Sequence, residues 1–136
     1  MQVKEIMTPD VEFVTTDTTL EKTAERMRDL NVGELPVVLG EEAVGVITDR
    51  DIVVRAVAHG LVPQAAKVTE AMTEVVFACS HEDDIEKAAE IMANRKIRRL
   101  LVMDAGGKMS GVVSLGDVAL NLYKSKVGGV LAQISS

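Results

Sequence analysis

The sequence predicts an α+β protein built from two copies of one β-α-β-β-α unit. The first observation is a repeated helical segment, because Leu20–Met27 matches Ile85–Met92 at an offset of 65 residues. The second is a repeated turn, found at Gly45–Asp51 and Gly111–Asp117. Each of these turns reads glycine, two β-branched apolar residues, a hydroxyl residue and, three positions later, an aspartate. Two features repeated in the same order indicate a duplicated unit.

Each copy begins with a short lead-in, 3–7 in the first copy and 68–72 in the second, and a brief apolar stretch, followed by a helix. This helix is predicted to start at a capping box, formed by Thr18 with Glu21 in the first copy and by Asp83 with Glu86 in the second. Two short strands joined by a tight turn, and then a second helix, complete the unit. These elements are predicted at 35–39, 43–47 and 50–58 in the first copy, and at 100–103, 110–113 and 116–123 in the second.

The domain organisation follows from the repeat. One short sheet buries little apolar surface alone, so the two units are predicted to pack sheet to sheet, with pseudo-twofold symmetry, around a shared core. The first domain is predicted to span 1–62 and the second 63–126. The remainder, 127–136, is predicted to be a short helix or an extension that docks on the body or on a second subunit.

Composition limits the function. The chain has 136 residues, of which 47% are hydrophobic and 2% aromatic, and its net charge is −6. This charge argues against a duplex nucleic-acid partner, and the lack of aromatic residues argues against single-strand binding. A single cysteine, Cys79, excludes an internal disulfide. We find no secretory or membrane segment and expect a cytoplasmic protein.

The second copy of the turn contains candidate ligand groups, Ser114 and Asp117. An aspartate at a helix start can accept hydrogen bonds from both ribose hydroxyls, and the helix N-terminus favours an anion. The alternative is a helix cap, which is the favoured interpretation from these residues alone. Arg98 and Arg99 precede a predicted buried strand, where one arginine could meet a phosphate. Their alternative is a solvated pair.

The sequence gives little support for a catalytic site or a metal site. His59 and His81 have no partner at ligand spacing, and Cys79 has no basic partner nearby in the sequence. The segment Gly106–Ser110 lacks the spacing of a phosphate loop and is predicted to be a hairpin turn. No general base, nucleophile or metal cluster accompanies the two turns, so we expect neither a catalytic residue nor a metal site.

The two-copy pattern resembles a tandem pair of cystathionine-β-synthase-type (CBS) domains, and in particular the small bacterial and archaeal proteins that consist of little besides one such pair. The matching segments are Ile6–Thr8, Val32–Val38 and Gly45–Asp51 in the first copy, and Ala71–Thr73, Ile97–Val102 and Gly111–Asp117 in the second. The resemblance implies a regulatory protein that binds adenosine compounds in clefts between its halves and forms disc-like dimers. It implies no required cofactor.

The resemblance also implies composite clefts, each with residues from both copies. The first cleft would use Thr8, Val32, Ser114 and Asp117, with Arg98 and Arg99 at the phosphate. The second would use Thr48, Asp51, Thr73 and Ile97, with Glu34 near the phosphate end. Arg50 either compensates for that acid or is exposed, and exposure is favoured. We therefore expect the Asp117 cleft to be the better nucleotide site.

The predicted function is a non-enzymatic module that senses AMP, ADP or ATP, forms a homodimer and acts on a regulated partner protein. Arg98 and Arg99 favour a phosphorylated ligand over S-adenosylmethionine. Binding of S-adenosylmethionine or NAD remains an alternative, as does a dimerisation scaffold with empty clefts. A small nucleotide hydrolase or transferase is the least favoured alternative.

Overall fold

The computed structural model describes residues 1–135, with side chains described as far as residue 128. The chain divides into two compact units. Unit 1 contains Met1–Val11 and Phe77–Ser136, and unit 2 contains Glu12–Val76. The repeat boundaries at 1–62 and 63–126 stay a prediction, because compact units and sequence repeats divide the chain in different ways.

Strands and helices follow the duplicated order that the sequence predicts. The strands are β1 (Thr8–Pro9), β2 (Val14–Thr15), β3 (Glu34–Leu39), β4 (Glu42–Thr48), β5 (Ala78–Ser80), β6 (Arg99–Met103) and β7 (Met109–Ser114). The helices are α1 (Leu20–Leu30), α2 (Asp49–Asp51), α3 (Ile85–Arg95) and α4 (Leu115–Ser135). A π-helix (Ile52–Val57) continues α2, and 3₁₀ turns occupy Val3–Glu5 and Val68–Glu70. The α+β class is confirmed. None of the helices in residues 1–135 is long and apolar enough to cross a membrane.

Unit 2 contains a three-stranded sheet with the order β2-β3-β4. β2 is parallel to β3, and β3 forms an antiparallel hairpin with β4 that places Glu34 opposite Thr48. The apolar side of α1 supplies Leu20 and Met27 to a core shared with Leu35. This core follows from the helical spacing of the apolar residues in α1.

Unit 1 contains a four-stranded sheet with the order β1-β7-β6-β5. The N-terminal strand β1 pairs antiparallel with β7, with Thr8 opposite Val112. In the same sheet, Arg99 lies opposite Ser114. The N-terminal lead-in therefore belongs to the unit that the second sequence copy forms.

A glycine at the same position in each unit permits close approach of the lead-in. A Cβ atom on Gly111 would lie 2.6 Å from Met7 Sδ and 2.9 Å from the Thr8 carbonyl oxygen. A Cβ atom on Gly45 would meet the equivalent atoms of Met72 and Thr73, each at 2.8 Å. These glycines are required by packing against the lead-in rather than by a ligand.

The predicted caps of α1 and α3 are wrong by one residue. Thr19 caps α1 by accepting a hydrogen bond from the Lys22 N–H, and Asp84 caps α3 by accepting one from the Glu86 N–H. Thr18 and Asp83, which were predicted to be the caps, close the preceding turns instead. The Thr18 hydroxyl accepts from the Thr15 N–H at 3.2 Å, and Asp83 Oδ2 accepts from the Ser80 N–H at 2.9 Å.

The second helices also differ from prediction. The predicted helix over 50–58 is a short α2 followed by the π-helix, and the β-branched residues Ile52, Val53 and Val54 open that π-helix. The predicted helix over 116–123 continues as α4 to Ser135, through the glycine pair that was expected to separate the tail over 127–136. Ser136 and the side chains after residue 128 lie outside the described residues, and so does the predicted docking of the tail.

Candidate functional site

The two hydroxyl–aspartate turns have the same local structure. Each turn joins the last strand of a hairpin, β4 or β7, to the helix that follows it. The Thr48 hydroxyl accepts a hydrogen bond from the Asp51 N–H at 3.0 Å, and the Ser114 hydroxyl accepts one from the Asp117 N–H at 3.1 Å. The helix-capping interpretation therefore holds at both turns. The two aspartate carboxylates differ in what surrounds them.

In unit 2 both oxygens of the Asp51 carboxylate have partners. Oδ2 accepts hydrogen bonds from the Thr48 N–H at 3.1 Å and from the Thr73 hydroxyl at 3.4 Å. Oδ1 lies 3.8 Å from Nε of Arg55, and the Asp51 side chain is only 13% exposed. The Arg55 guanidinium also donates to the Met72 carbonyl oxygen at 3.0 Å. The contacts of Asp51 thus join the turn to Thr73, the residue directly after the lead-in.

In unit 1 the Asp117 carboxylate has no hydrogen bond or ion pair with the described side chains, 1–128, or with the backbone of 1–135. The residue in the repeat position of Arg55 is Asn121, which donates from its side chain to the Asp117 backbone carbonyl oxygen at 2.8 Å. The counterpart of Thr73 is Thr8, which is exposed. The half-buried Asp117 therefore keeps its acceptor capacity for an external donor.

The charges beside the two turns are opposite. In unit 1 the Arg98 carbonyl oxygen accepts from the Leu115 N–H at 2.8 Å, and the next residue, Arg99, is the strand partner of Ser114. In unit 2 the carbonyl oxygen at the equivalent position belongs to Gly33, which accepts from the Asp49 N–H at 2.9 Å. The strand partner there is Glu34. Two arginines adjoin the Asp117 turn, whereas a glycine and a glutamate adjoin the Asp51 turn.

Asp49 is a site residue that the sequence analysis missed. A Cβ atom on Gly33 would lie 2.9 Å from Asp49 Oδ2, so this carboxylate packs directly on the glycine. Unit 1 has Leu115 at the same position of its turn. Aligning the two turns residue by residue would have revealed the added acid. Arg50, which was predicted either to compensate for Glu34 or to be exposed, is exposed.

The structure gathers most of the predicted site residues within single units. Unit 1 contains Thr8, Ile97, Arg98, Arg99, Ser114 and Asp117, and unit 2 contains Val32, Thr48, Arg50, Asp51 and Thr73. Val32 is 38% exposed, and Ile97 packs against the core of unit 1. The predicted pairings of Val32 with Asp117 and of Ile97 with Asp51 join residues of different units, and they stay predictions.

Metal-binding and thiol chemistry gain no support from the described residues. Across 1–135, no group of three or more histidine, cysteine or carboxylate residues is arranged to hold a metal ion. Burial, together with the nearby charge of Asp83, raises the pKa of the Cys79 thiol to about 11. A buried thiol with a raised pKa is a poor nucleophile at neutral pH.

The fold and the two turns define a tandem-repeat protein with one hydroxyl–aspartate turn per repeat. The family model of the CBS domain matches residues 3–57 and 68–124, which together are most of the chain. The chain therefore belongs to the CBS domain family.

Relatives match along nearly the whole chain. The CBS domain-containing protein YhcV of Bacillus subtilis is 36% identical over 98% of this chain and 94% of its own length. A signal-transduction protein with CBS domains from Burkholderia ambifaria has a TM-score of 0.77 at 26% identity, covering 90% of this chain and 93% of its own. CBSX2 from Arabidopsis thaliana, solved in complex with AMP, has a TM-score of 0.76 at 27% identity, covering 92% of this chain and 98% of its own.

Proposed function

We propose that this protein is a regulatory module that binds an adenosine nucleotide of the AMP, ADP or ATP class at the Ser114–Asp117 turn. The observation that carries the proposal is the Asp117 carboxylate, which has no partner among the described residues and adjoins Arg98 and Arg99. The similarity to CBSX2, which was solved with AMP, supports the same class of ligand.

Each group has a role that fits its chemistry. The Asp117 carboxylate accepts hydrogen bonds from the ribose hydroxyls, as an acid at a helix start does in dinucleotide folds. Arg98 and Arg99 suit a phosphate group because each guanidinium presents several hydrogen-bond donors in one plane. The N-terminus of the 21-residue helix α4 adds a favourable field for an anion.

The expected mechanism is a shift between conformations rather than catalysis. A ligand that binds one arrangement of the protein more tightly raises the population of that arrangement, and a partner protein reads the change. We propose that the chain has no enzymatic activity and acts in the cytoplasm. Both are expectations from the sequence and from the small CBS-domain relatives.

We also propose a homodimer in which unit 2 of one copy contacts α4 of the other. Unit 2 has an open groove of about 450 Å³ between α1 and the π-helix. Its charged lining on the α1 side is Glu21, Glu25 and Arg28, and Arg28 is paired with Asp29 at 2.9 Å.

The exposed part of α4 carries an apolar stripe that includes Tyr123, which is 65% exposed. At the α-helical spacing, Lys124 and Lys126 flank that stripe. Acids beside the groove and lysines beside the stripe are complementary.

Charge reversal tests this dimer. Glu21→Lys with Glu25→Lys, and separately Lys124→Glu with Lys126→Glu, should each give monomers in sedimentation analysis because like charges then face each other. Mixing the two variants should restore dimers, since each contact again joins opposite charges. Dimers that survive in both separate variants would contradict the arrangement.

The competing function is a dimerisation scaffold whose ligand sites stay empty, which the exposed apolar residues favour. Calorimetric titration with AMP, ADP, ATP, S-adenosylmethionine and NADH separates the two functions. We expect saturable binding of a phosphorylated adenosine ligand, loss of that binding in Asp117→Ala, and no release of phosphate. Absence of binding to all five ligands would favour the scaffold, and steady phosphate release would indicate an enzyme.

A further inference from the structure

We propose that Arg55 closes the Asp51 turn of unit 2 to ribose ligands, so that each chain binds one nucleoside tightly rather than two. This inference rests on the proposed binding function of the Asp117 turn. It assigns a specificity-determining role to a residue outside the repeated turn motif.

The Arg55 guanidinium makes two contacts from one side chain. Its Nε atom lies 3.8 Å from Oδ1 of Asp51, and its Nη1 atom donates to the Met72 carbonyl oxygen at 3.0 Å. Arg55 therefore spans from the carboxylate at the turn to the backbone of the lead-in, one residue before Thr73. The Arg55 side chain is half exposed, at 51%, and Arg55 lies in the π-helix, which begins directly after Asp51.

The lead-in is itself fixed to the sheet next to this contact. Val46 and Thr73 exchange two backbone hydrogen bonds of 2.9 Å, and the Thr73 hydroxyl donates to Asp51 Oδ2. Asp51 is thus held by a backbone N–H, a hydroxyl and a cation at once. Oδ2 already accepts two hydrogen bonds, whereas Oδ1 accepts none from the described residues and faces the Arg55 guanidinium at 3.8 Å, so a ribose hydroxyl that donates to Oδ1 must compete with that guanidinium.

Unit 1 lacks this closure. Asn121 occupies the position of Arg55, and its amide donates to the backbone of its own helix. An asparagine side chain carries no positive charge, and it cannot replace an arginine that binds two acceptors. This residue difference removes the cation that faces Oδ1 in unit 2, while the two hydrogen bonds to Asp51 Oδ2 come from Thr48 and Thr73.

Displacing Arg55 is unfavourable for two reasons. To move the guanidinium away, the ligand must break its 3.8 Å ion pair with Asp51 together with its hydrogen bond to the Met72 carbonyl oxygen. It must also approach a carboxylate that is 13% exposed and that has Asp49 and Glu34 in the same turn region. The Asp49 carboxylate repels phosphate in addition, so adenosine is a cleaner probe of the closed site than AMP.

The test is calorimetric titration of the full chain with adenosine and with AMP. We expect one binding event per chain in the wild type. Arg55→Asn, which gives unit 2 the residue found in unit 1, should add a second binding event for adenosine, at the Asp51 turn. The affinity of this second event should be about tenfold higher than that of any residual wild-type binding at the same turn. The second event should be weaker for AMP than for adenosine.

Three matched variants complete the design. Asp51→Ala in the Arg55→Asn background should remove the second event and keep the first. Asn121→Arg should weaken the first adenosine binding event, at the Asp117 turn, by about tenfold, because it places a cation beside the Asp117 carboxylate. Arg55→Gln repeats the test with a longer neutral side chain, and thermal melting confirms that each variant is folded.

The outcomes separate this inference from the proposed function. Unchanged or weakened adenosine binding in Arg55→Asn and Arg55→Gln overturns the role of Arg55 and leaves the Asp117 site intact. Binding that appears only when Arg55 is replaced supports the role of Arg55 and contradicts the Asp117 site. No binding by any variant contradicts both.

Discussion

The two hydroxyl–aspartate turns share a sequence pattern and a backbone arrangement, yet their carboxylates lie in different surroundings. Asp51 accepts hydrogen bonds from Thr48 and Thr73 and faces Arg55, whereas Asp117 has no side-chain partner among the described residues. The difference teaches that a repeated motif does not guarantee a repeated function. In unit 2 the carboxylate is engaged by contacts within the unit, and we propose that the equivalent carboxylate of unit 1 binds a ligand.

Three positions outside the aspartate and its hydroxyl partner also differ in charge between the two turns. They are the residue one helical turn later, the residue opposite the hydroxyl in the hairpin, and the residue directly after the hydroxyl. The unit 2 members are Arg55, Glu34 and Asp49, and the unit 1 members are Asn121, Arg99 and Leu115.

The largest effect is expected from reversing the charge beside the Asp117 turn. Arg98→Glu with Arg99→Glu gives unit 1 an acid where unit 2 has Glu34, and should weaken AMP binding by about 30-fold or more through loss of charge-assisted hydrogen bonds. Adenosine binding should change by less than about threefold, since it has no phosphate. Arg50→Glu in unit 2 is the matched control and should leave both affinities unchanged. Equal losses for AMP and adenosine would show that the arginines do not read the phosphate.

A packing change should affect both units alike. Gly111→Ala and Gly45→Ala each force a Cβ atom against the lead-in and should lower the free energy of unfolding by about 2 kcal/mol. Gly116→Ala is the control, because its Cβ would lie 3.9 Å from the Ser114 hydroxyl oxygen, with no closer neighbour. Urea denaturation measures all three. A Gly111→Ala protein as stable as the control would show that the lead-in does not approach β7 this closely.

Replacing the aspartates should separate stability from binding. Asp51→Ala removes acceptors for the Thr48 N–H and the Thr73 hydroxyl and should cost about 1 kcal/mol of unfolding free energy. Asp117→Ala removes no hydrogen bond or ion pair of the carboxylate among the described residues and should change stability by less than about 0.5 kcal/mol. Thermal and urea unfolding of the two variants give the comparison, and a larger loss in Asp117→Ala would invert the assignment of the two turns.

The smallest effect is expected from giving unit 1 an acid at the position that Asp49 occupies in unit 2. Leu115→Asp places a carboxylate where unit 2 has Asp49, and should weaken AMP binding by about threefold at low ionic strength through repulsion of the phosphate. The loss should shrink as salt is added, because exposed charges are screened. Leu115→Asn is the neutral control. A loss that does not depend on salt would point to a steric cause instead.

The duplicated pattern was sufficient to predict most of the fold. Both hairpins and their turns are confirmed, because two short apolar runs on either side of a turn that contains glycine specify a hairpin locally. The helix caps were misplaced by one residue because Thr18 and Thr19, like Asp83 and Asp84, are adjacent residues with the same capping chemistry. In each pair the first residue accepts a hydrogen bond from the backbone N–H three positions earlier, of Thr15 or Ser80, and the second residue caps the helix.

The candidate site was less predictable than the fold. The sequence indicated that Arg98 and Arg99 favour the Asp117 turn over the turn near Glu34. It did not reveal Arg55, because the contact of this residue with Met72 joins positions 17 residues apart and depends on how the lead-in crosses the sheet. Asp49 was within the repeated turn, but its position was treated as variable.

The most direct test of the account is a crystal structure of the chain grown with saturating AMP. We predict one nucleotide per chain, with its ribose hydroxyls on the Asp117 carboxylate, its phosphate facing Arg98 or Arg99, and Arg55 still in contact with Asp51. A nucleotide bound on Asp51, with Asp117 empty or equally occupied, would contradict the assignment of ligand binding to unit 1 and of a structural role to unit 2.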